Sequence, residues 1–382
     1  MEFRDLKKQY QVLKDQIDVK VQNVCAGAHY ISGPEVKEFE QQLAEYVGVK
    51  HCVTCANGTD ALTLALKVWG IGEDDAVFVP DFTFFASAEC PAAERATCVF
   101  VDIDKDTYNM DPESLERAIK KVLSEGKYTP KVVVAVDLFG QPADYPAIKE
   151  ICKKYNLLLL EDGAQGFGGS INGKKACSFG DISTTSFFPA KPLGCYGDGG
   201  AVFTDNDEWA ALLRSYAVHG KSGNDKYNNI RLGLNSRLDT VQAAILQIKL
   251  KAFKDYELAD VNKAAEMYTA EFTKTGLDKV FTLPVVKAGF VSSWAQYTLR
   301  LPESIDRADL QAKLKDVGIP TMVYYPKMMH EQGAFEGTYS ATAECPVATA
   351  SCKVVMSVPM HPYLTADDIS FVVDKIAEII HN

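Results

Sequence analysis

Two ionisable side chains near the middle of the chain have the types and setting that imine chemistry needs. Asp162 closely follows an apolar run at residues 157–160, a pattern typical of a buried parallel strand that delivers its last side chains to the carboxyl edge of a sheet. Lys191 follows a second strand-like segment at residues 183–188. A lysine amine forms an imine with an aldehyde, and a carboxylate keeps a pyridine nitrogen protonated. The pair therefore indicates a pyridoxal phosphate site, at the edge where open α/β sheets bind ligands.

A third segment could bind the phosphate of such a cofactor. Residues 52–55 have the character of a strand, and residues 61–69 carry apolar side chains at helical spacing. Between them, Gly58 lets the backbone come close to a ligand, and Thr59 is expected to cap the start of the helix. A helix N-terminus binds phosphate through its free N–H groups and its dipole. Without the aspartate and the lysine, the same segment would indicate only a strand, a turn and a capped helix.

Two polar side chains close in sequence to this pair are candidates for further cofactor contacts. Ser186 lies shortly before Lys191 and could add a hydroxyl to the phosphate site. Gln165 lies about one turn after Asp162 and could form a hydrogen bond with the ring hydroxyl of the cofactor.

With these motifs in place, the chain resembles the DegT/DnrJ-type sugar aminotransferases, which have the fold-type I architecture of aspartate aminotransferase. The resemblance covers nearly the whole chain and rests on eight segments in order: YISGPEV at 30–36, ANGTDAL at 56–62, EDGAQ at 161–165, SFFPAK at 186–191, GDGGA at 197–201, NSRLD at 235–239, QAAI at 242–245 and SVPMHPYLT at 357–365. It implies an α/β fold whose large domain contains a mostly parallel seven-stranded sheet, followed by a smaller C-terminal α+β domain.

The resemblance also implies a role for each cofactor residue. Lys191 would form the imine with pyridoxal phosphate, Asp162 would pair with the ring nitrogen, and Gln165 would lie beside the ring oxygen. The phosphate would be held by Gly58, Thr59 and Ser186.

Two further positions match cofactor contacts of the family. Phe84 corresponds to an aromatic side chain that stacks on the cofactor, although Phe82 and Phe85 beside it are equally suited to the core. Asn235 corresponds to a residue that reaches the phosphate of a neighbouring subunit. The resemblance thus implies a homodimer with shared active sites.

The substrate residues follow from the branch that the chain resembles, which aminates UDP-3-keto-N-acetylglucosamine uronic acid. The segments PLGCYGDGG at 192–200 and NSRLD at 235–239 are similar to that branch, in which Arg237 would help to bind the anionic substrate. Where many relatives carry His-Tyr-Pro, this chain has Tyr324-Tyr325-Pro326. Tyr324 and Tyr325 are the candidates for sugar contacts there, without the charge that an imidazole can carry.

The expected reaction is transfer of an amino group from glutamate to the keto group of a nucleotide-linked sugar, with the 3-keto uronate or a related 3-keto sugar as acceptor. A 4-keto-6-deoxy nucleotide-sugar aminotransferase and a non-catalytic regulatory member of the fold are alternatives. A cofactor-dependent sugar dehydrase of this family would carry histidine in place of Lys191. A nicotinamide-dependent sugar oxidoreductase is not supported. Its dinucleotide site needs a glycine-rich turn that leads from a strand into a helix, whereas the glycines at 197–200 lead into a strand.

Composition and charge restrict the classes of partner. The formal net charge of −11 argues against nucleic acid, which needs a basic surface. No apolar run approaches the length of a membrane span, and no set of ligands indicates a metal site. The ten cysteines lack the spacing of a disulfide framework, which is typical of a reduced cytoplasm.

The order of the elements predicts where the domains divide. Between residues 50 and 205, short apolar runs alternate with helical patterns, which favours a parallel sheet covered on both faces. Residues 234–275 contain neither glycine nor proline and should form one or two long helices. Strands are expected at residues 297–301 and 321–325, and helices at 307–317 and 366–380. We expect a large cofactor-binding domain with an N-terminal helical segment at residues 1–250 and a small domain at 251–382.

Overall fold

A computed structural model describes residues 1–223 and 227–381 of the chain. Twelve strands lie within these residues, and seven of them form the central sheet. The strands are β1 (His51–Cys55), β2 (Asp75–Pro80), β3 (Thr97–Val101), β4 (Thr129–Val136), β5 (Leu158–Asp162), β6 (Ser170–Ile171), β7 (Lys174–Lys175), β8 (Ile182–Ser186), β9 (Gly200–Thr204), β10 (Phe290–Val291), β11 (Tyr297–Arg300) and β12 (Val355–Val358).

The same residues contain twelve α-helices. They are α1 (Leu6–Gly27), α2 (Pro34–Val47), α3 (Gly58–Val68), α4 (Ala86–Ala93), α5 (Pro112–Glu125), α6 (Tyr145–Tyr155), α7 (Asp207–Tyr216), α8 (Thr240–Ala252), α9 (Leu258–Lys274), α10 (Arg307–Asp316), α11 (Pro346–Val354) and α12 (Ala366–His381). A π-helical segment, Phe253–Glu257, joins α8 to α9, so the long helical region predicted after residue 234 is confirmed. No helix in the described parts of the chain is both long and apolar enough to cross a membrane.

The central sheet has the strand order β1-β9-β8-β5-β4-β2-β3. Strand β9 is antiparallel to both of its neighbours, and the other six strands run in one direction. The predicted seven-stranded, mostly parallel sheet is therefore confirmed. Because six strands share one direction, β1, β5 and β8 all end at the same edge, and this edge collects the side chains of the site.

Alternate residues of the central strands face opposite layers, as the near-continuous apolar runs predict. Val132 and Val134 of β4 pack into a core beneath α3 and α4, whereas Val133 and Ala135 pack into a second core beneath α5 and α6. Both faces of the sheet are thus buried.

A separate apolar core lies in the C-terminal part of the chain. It joins α9, α10 and α12 to the antiparallel pair of β11 and β12, with Tyr268, Tyr297 and Phe272 fully buried. Residues 328–355 include side chains that pack into the core of the central sheet instead. The boundary between a large and a small domain at residue 250 stays a prediction.

The prediction of a strand at residues 321–325 is wrong. Only Met322 forms a bridge, to Ser357, before the chain turns through a cis peptide between Tyr324 and Tyr325. Three consecutive side chains, Val323, Tyr324 and Tyr325, instead pack at the margin of the core of the central sheet.

Candidate active site

Lys191 lies in a tight loop between β8 and β9. Its backbone N–H donates to the Phe188 carbonyl at 2.8 Å, and the chain returns to the sheet where the Cys195 N–H donates to the Phe187 carbonyl at 2.8 Å. Gly194 is required in this loop because a Cβ there would lie 2.4 Å from the Pro189 carbonyl oxygen. The loop therefore holds the lysine backbone in one place beside the sheet edge.

The amine of Lys191 has a lowered pKa, although its side chain keeps a partly exposed surface. Loss of hydration lowers the pKa of Lys191 most, and the charge of Arg4 lowers it further, whereas Asp162 acts in the opposite direction. A lowered pKa increases the fraction of neutral amine, which is the nucleophilic form.

Asp162 is buried at the end of β5 and held by two hydrogen bonds. Its Oδ2 accepts from the Ser87 hydroxyl at 2.8 Å, and its Oδ1 accepts from the Ala164 N–H at 3.2 Å. Burial raises the pKa of Asp162, while the two hydrogen bonds and the Lys191 charge lower it. Asp162 and Lys191 are close enough to interact electrostatically, as their sequence setting predicted.

Helix α3, which follows β1, begins beside Ser186. We call this helix start together with Ser186 the phosphate cradle. A Cβ on Gly58 would lie 2.7 Å from the Ser186 Cβ, so only glycine brings the two backbones this close. The expectation that Thr59 caps this helix is wrong, because the Asn57 side chain accepts from the Asp60 N–H at 2.8 Å. Thr59 lies in the first turn, where backbone N–H groups have no partner within the helix.

Gln165 is buried between two fixed partners. Its Oε1 accepts from the Phe139 N–H at 2.8 Å, and its Nε2 donates to the Tyr325 hydroxyl at 3.0 Å. Burial raises the pKa of Tyr325, so this hydroxyl stays protonated at neutral pH. Tyr325, a predicted substrate residue, therefore contacts a predicted cofactor residue directly.

The structure separates the three neighbouring phenylalanines. Phe82 is 1% exposed in the core, whereas the Phe84 side chain is 55% exposed with its ring centroid 6.3 Å from that of Tyr325. Phe85 packs at the margin of the core against Phe335. Of the three rings, Phe84 is the one available to a ligand.

Asn235 and Arg237 lie together on the side of β1. The Arg237 guanidinium donates to the Asn235 side chain, and the Ser236 hydroxyl between them accepts from the Ala56 N–H at 3.0 Å. Arg237 lines a cavity of about 530 Å³ together with Lys37 and Arg214. Asn235 is exposed, so within one chain it faces away from the protein interior.

One residue of this site was missed in the sequence. Ser87 is 2% exposed and holds the carboxylate of Asp162, yet nothing in its local pattern marks it. The only signal was its position in the first turn of α4, three residues after Phe84.

The residues present fit pyridoxal phosphate. The close approach of Gly58 to Ser186 provides a small cradle at a helix N-terminus, as a phosphate requires. A buried carboxylate and an amine of lowered pKa suit the ring nitrogen and the aldehyde. The exposed ring of Phe84 leaves an aromatic face for stacking.

Comparison with known proteins identifies the family. Residues 11–377 match the DegT/DnrJ/EryC1/StrS aminotransferase family. The chain belongs to this family. The resemblance stated from the sequence motifs, the fold class and the aminotransferase assignment are thereby confirmed.

Two curated relatives represent different roles within the family. The chain is 44% identical over 374 residues to the UDP-2-acetamido-2-deoxy-3-oxo-D-glucuronate aminotransferase of Pseudomonas aeruginosa, covering 97% of this chain and 98% of the relative. It is 40% identical over 374 residues to a pleiotropic regulatory protein of Geobacillus stearothermophilus, covering 98% and 97%.

Solved structures of the family agree with the fold. A DegT/DnrJ/EryC1/StrS aminotransferase from Brucella abortus is 43% identical with a TM-score of 0.94, covering 99% of both chains. NtdA from Bacillus subtilis, which contains the bound cofactor PMP, is 27% identical with a TM-score of 0.86, covering 96% of this chain and 82% of that one. The predicted pyridoxal phosphate cofactor is confirmed as the cofactor of this aminotransferase family.

Proposed function

We propose that this enzyme transfers an amino group from glutamate to a keto group of a nucleotide-linked sugar, with UDP-3-keto-N-acetylglucosamine uronate or a related 3-keto sugar as acceptor. The observation that carries the proposal is the electrostatic interaction of Lys191 with buried Asp162 at the sheet edge where Gly58 approaches Ser186. The relative of Pseudomonas aeruginosa, which acts on a 3-oxo-glucuronate, supports the acceptor.

The proposal gives each cofactor residue a role. Asp162 would pair with the pyridine nitrogen, Gln165 would contact the ring oxygen, and Phe84 would stack on the ring. Gly58, Thr59 and Ser186 would bind the phosphate. When bound, pyridoxal phosphate supplies an aldehyde for the amine and an electron-withdrawing ring.

Lys191 moves the proton that the reaction needs. Its amine has a lowered pKa because of burial, which increases the fraction of neutral amine that can accept a proton. The charge of Asp162 limits how far that pKa falls. The lysine Nζ can therefore accept a proton from the amino donor and deliver it in the second half of the reaction.

The site is proposed to be shared between two subunits of a homodimer. Asn235 is exposed in one chain, so its side chain lies where it would reach the phosphate in a neighbouring subunit. Arg237 binds Asn235 and lines a cavity with Lys37 and with an ion pair of Arg214 and Glu40. Arg237 and Lys37 would bring positive charge to an anionic sugar nucleotide there.

The contacts to the sugar involve two tyrosines. Tyr324 packs against the Phe3 ring with centroids 6.3 Å apart, and Tyr325 is held by Gln165. Both provide hydroxyl groups without ionic charge at neutral pH, since burial raises the pKa of each. Arg237 is then the principal proposed charge for a carboxylate on the substrate.

The free cysteines, nine of them buried, support a reducing cytoplasm as the location of the protein.

The test uses a panel of acceptors with nitrogen-labelled glutamate. Purified protein with pyridoxal phosphate is incubated with 3-keto and 4-keto nucleotide sugars, with and without a uronate carboxylate, and NMR locates the label. We expect label on C3 of the uronate. Label on C4 of a 6-deoxy sugar would favour the alternative aminotransferase and contradict the proposed acceptor.

A regulatory role is the second candidate, because a relative at 40% identity is named a pleiotropic regulatory protein. The variant Lys191→Ala distinguishes the two. The enzyme proposal predicts loss of turnover in the variant. A purely regulatory protein would show no turnover with any acceptor in the parent chain either.

A further inference from the structure

The N-terminal segment before α1 passes directly behind the Lys191 loop. The Phe3 carbonyl accepts from the Met360 N–H at 3.0 Å, which fixes the segment to the C-terminal part of the chain. One residue later, the Arg4 guanidinium donates to the Pro192 carbonyl at 3.2 Å. Pro192 directly follows Lys191, so Arg4 is bound to the loop that carries the amine.

Behind this loop lies a buried group of charges contributed by three parts of the chain. Lys249 of α8 is 1% exposed, and its Nζ lies 5.1 Å from the centroid of the Tyr196 ring. Glu257 is 3% exposed and accepts from Gln9 at 2.8 Å and from the Tyr363 hydroxyl at 2.5 Å. Arg4 interacts electrostatically with both charged side chains.

Burial sets the charge states in this group. It lowers the pKa of Arg4 to about 10 and that of Lys249 to about 8, so both carry charge at pH 7. Burial also lowers the pKa of His361 to about 4, which leaves its imidazole neutral. Glu257 acts on both cations, and the carboxylates of Asp5 and Asp368 act on His361.

We propose that Arg4 is a positioning residue for Lys191: it fixes the loop through the Pro192 carbonyl and places a positive charge behind the amine. A cation there disfavours a second ammonium group and so increases the share of neutral, nucleophilic lysine. Asp162, on the opposite side, favours the protonated amine. Arg4 thus acts together with burial, and against Asp162, on the protonation state of Lys191.

The proposal concerns the amine itself and rests on the proposed function only for why that amine matters. It can therefore be tested without cofactor or substrate. Competitive acetylation of the apoprotein with isotopically labelled acetic anhydride at a series of pH values, followed by peptide mass spectrometry, gives the pKa of Lys191. The pKa of Lys191 can prove independent of Arg4 in an active aminotransferase, and it can depend on Arg4 in a protein that transfers no amino group. The two proposals therefore fail separately.

Four variants separate charge from packing. Arg4→Gln keeps a donor for the Pro192 carbonyl but removes the charge, and Arg4→Met keeps the length of the stem alone. We expect both to raise the pKa of Lys191 by roughly half a pH unit to one pH unit, the order of one charge–charge interaction at an effective dielectric constant of about 20. Arg4→Lys should retain most of the parent value. Lys7→Gln, at an exposed position nearby, is the control and should leave it unchanged.

Circular dichroism first confirms that each variant is folded, and Arg4→Met replaces Arg4→Gln where the latter is not. The proposal is overturned if the folded uncharged variants have the same Lys191 pKa as the parent. It is also overturned if Arg4→Lys raises that pKa as much as Arg4→Gln does, because the charge would then have no part in the effect.

Discussion

The Gln165 side-chain amide donates a hydrogen bond to the Tyr325 hydroxyl at 3.0 Å, between residues far apart in the chain. The other end of the same amide accepts from the Phe139 N–H at 2.8 Å. This arrangement fixes the orientation of Gln165 just beyond Asp162. It also connects the segment after α10 to the edge of the central sheet.

Replacing Tyr325 by phenylalanine should therefore weaken cofactor binding without disturbing the fold. The Gln165 amide would lose one buried partner, which costs about 1 kcal/mol and corresponds to about a fivefold higher dissociation constant. Titration of the apoprotein with pyridoxal phosphate, followed by absorbance, measures this constant. Tyr155→Phe removes a hydroxyl that binds Glu116 on the surface and serves as the control. Equal dissociation constants for the two variants would contradict the role assigned to Tyr325.

Removing the Ser87 hydroxyl should change the pH dependence of activity. The hydrogen bond from Ser87 lowers the pKa of Asp162, so Ser87→Ala should raise that pKa. The ionised carboxylate is then lost at a higher pH as the solution is acidified. We expect the acidic limb of the kcat/KM profile to move upward by up to roughly one pH unit. Ser124→Ala, whose hydroxyl binds a helix carbonyl at the surface, should not move the limb. An unshifted limb in Ser87→Ala would exclude this role.

Adding one methyl group at Gly58 should disrupt the phosphate cradle. The new Cβ would lie 2.7 Å from the Ser186 Cβ, so the helix start and β8 must separate. Overpacking of this kind costs about 1–3 kcal/mol, and we expect a roughly 5- to 150-fold loss of pyridoxal phosphate affinity. Gly72→Ala is the matched control, because a Cβ there meets no atom within 4 Å. If Gly58→Ala binds the cofactor as the control does, the cradle lies elsewhere.

Glu161, next to Asp162, should be essential for stability rather than for chemistry. Its carboxylate is fully buried and accepts four hydrogen bonds, from the backbone N–H groups of Cys177, Phe179 and Gly180 and from the Ser183 hydroxyl. In Glu161→Gln an amide N–H₂ would face donors, which should lower the free energy of unfolding by about 2–3 kcal/mol. Urea denaturation measures this change, and exposed Glu113→Gln is the control. Matching unfolding midpoints would show that the buried charge is dispensable.

The parts of the site that the sequence predicted are those set by local patterns. Asp162 follows an apolar run, and Lys191 follows a strand, so the direction of six parallel strands brings both to one edge. The short apolar runs between residues 50 and 205 also placed the central strands correctly, because a buried strand is itself a local apolar run. Where two neighbouring residues suit one task equally, local pattern could not choose: Asn57 and Thr59 both cap helices well, and the structure uses Asn57.

The parts that the sequence did not predict depend on contacts between distant segments. Residues 321–325 look like a strand because their side chains are apolar or aromatic, but only Met322 pairs with β12. The bond from Arg4 to Pro192 joins the N-terminus to the middle of the chain, and nothing in either local pattern indicates it.

The central claim is that Lys191 is the amine that binds pyridoxal phosphate, and reduction of the loaded protein with borohydride tests it most directly. Lys249 provides an internal comparison, because it is also buried and burial lowers its pKa to about 8. After proteolysis, mass spectrometry should find the pyridoxyl group on the peptide that contains Lys191 and on no other. A pyridoxyl group on Lys249, or no covalent adduct, would contradict the claim.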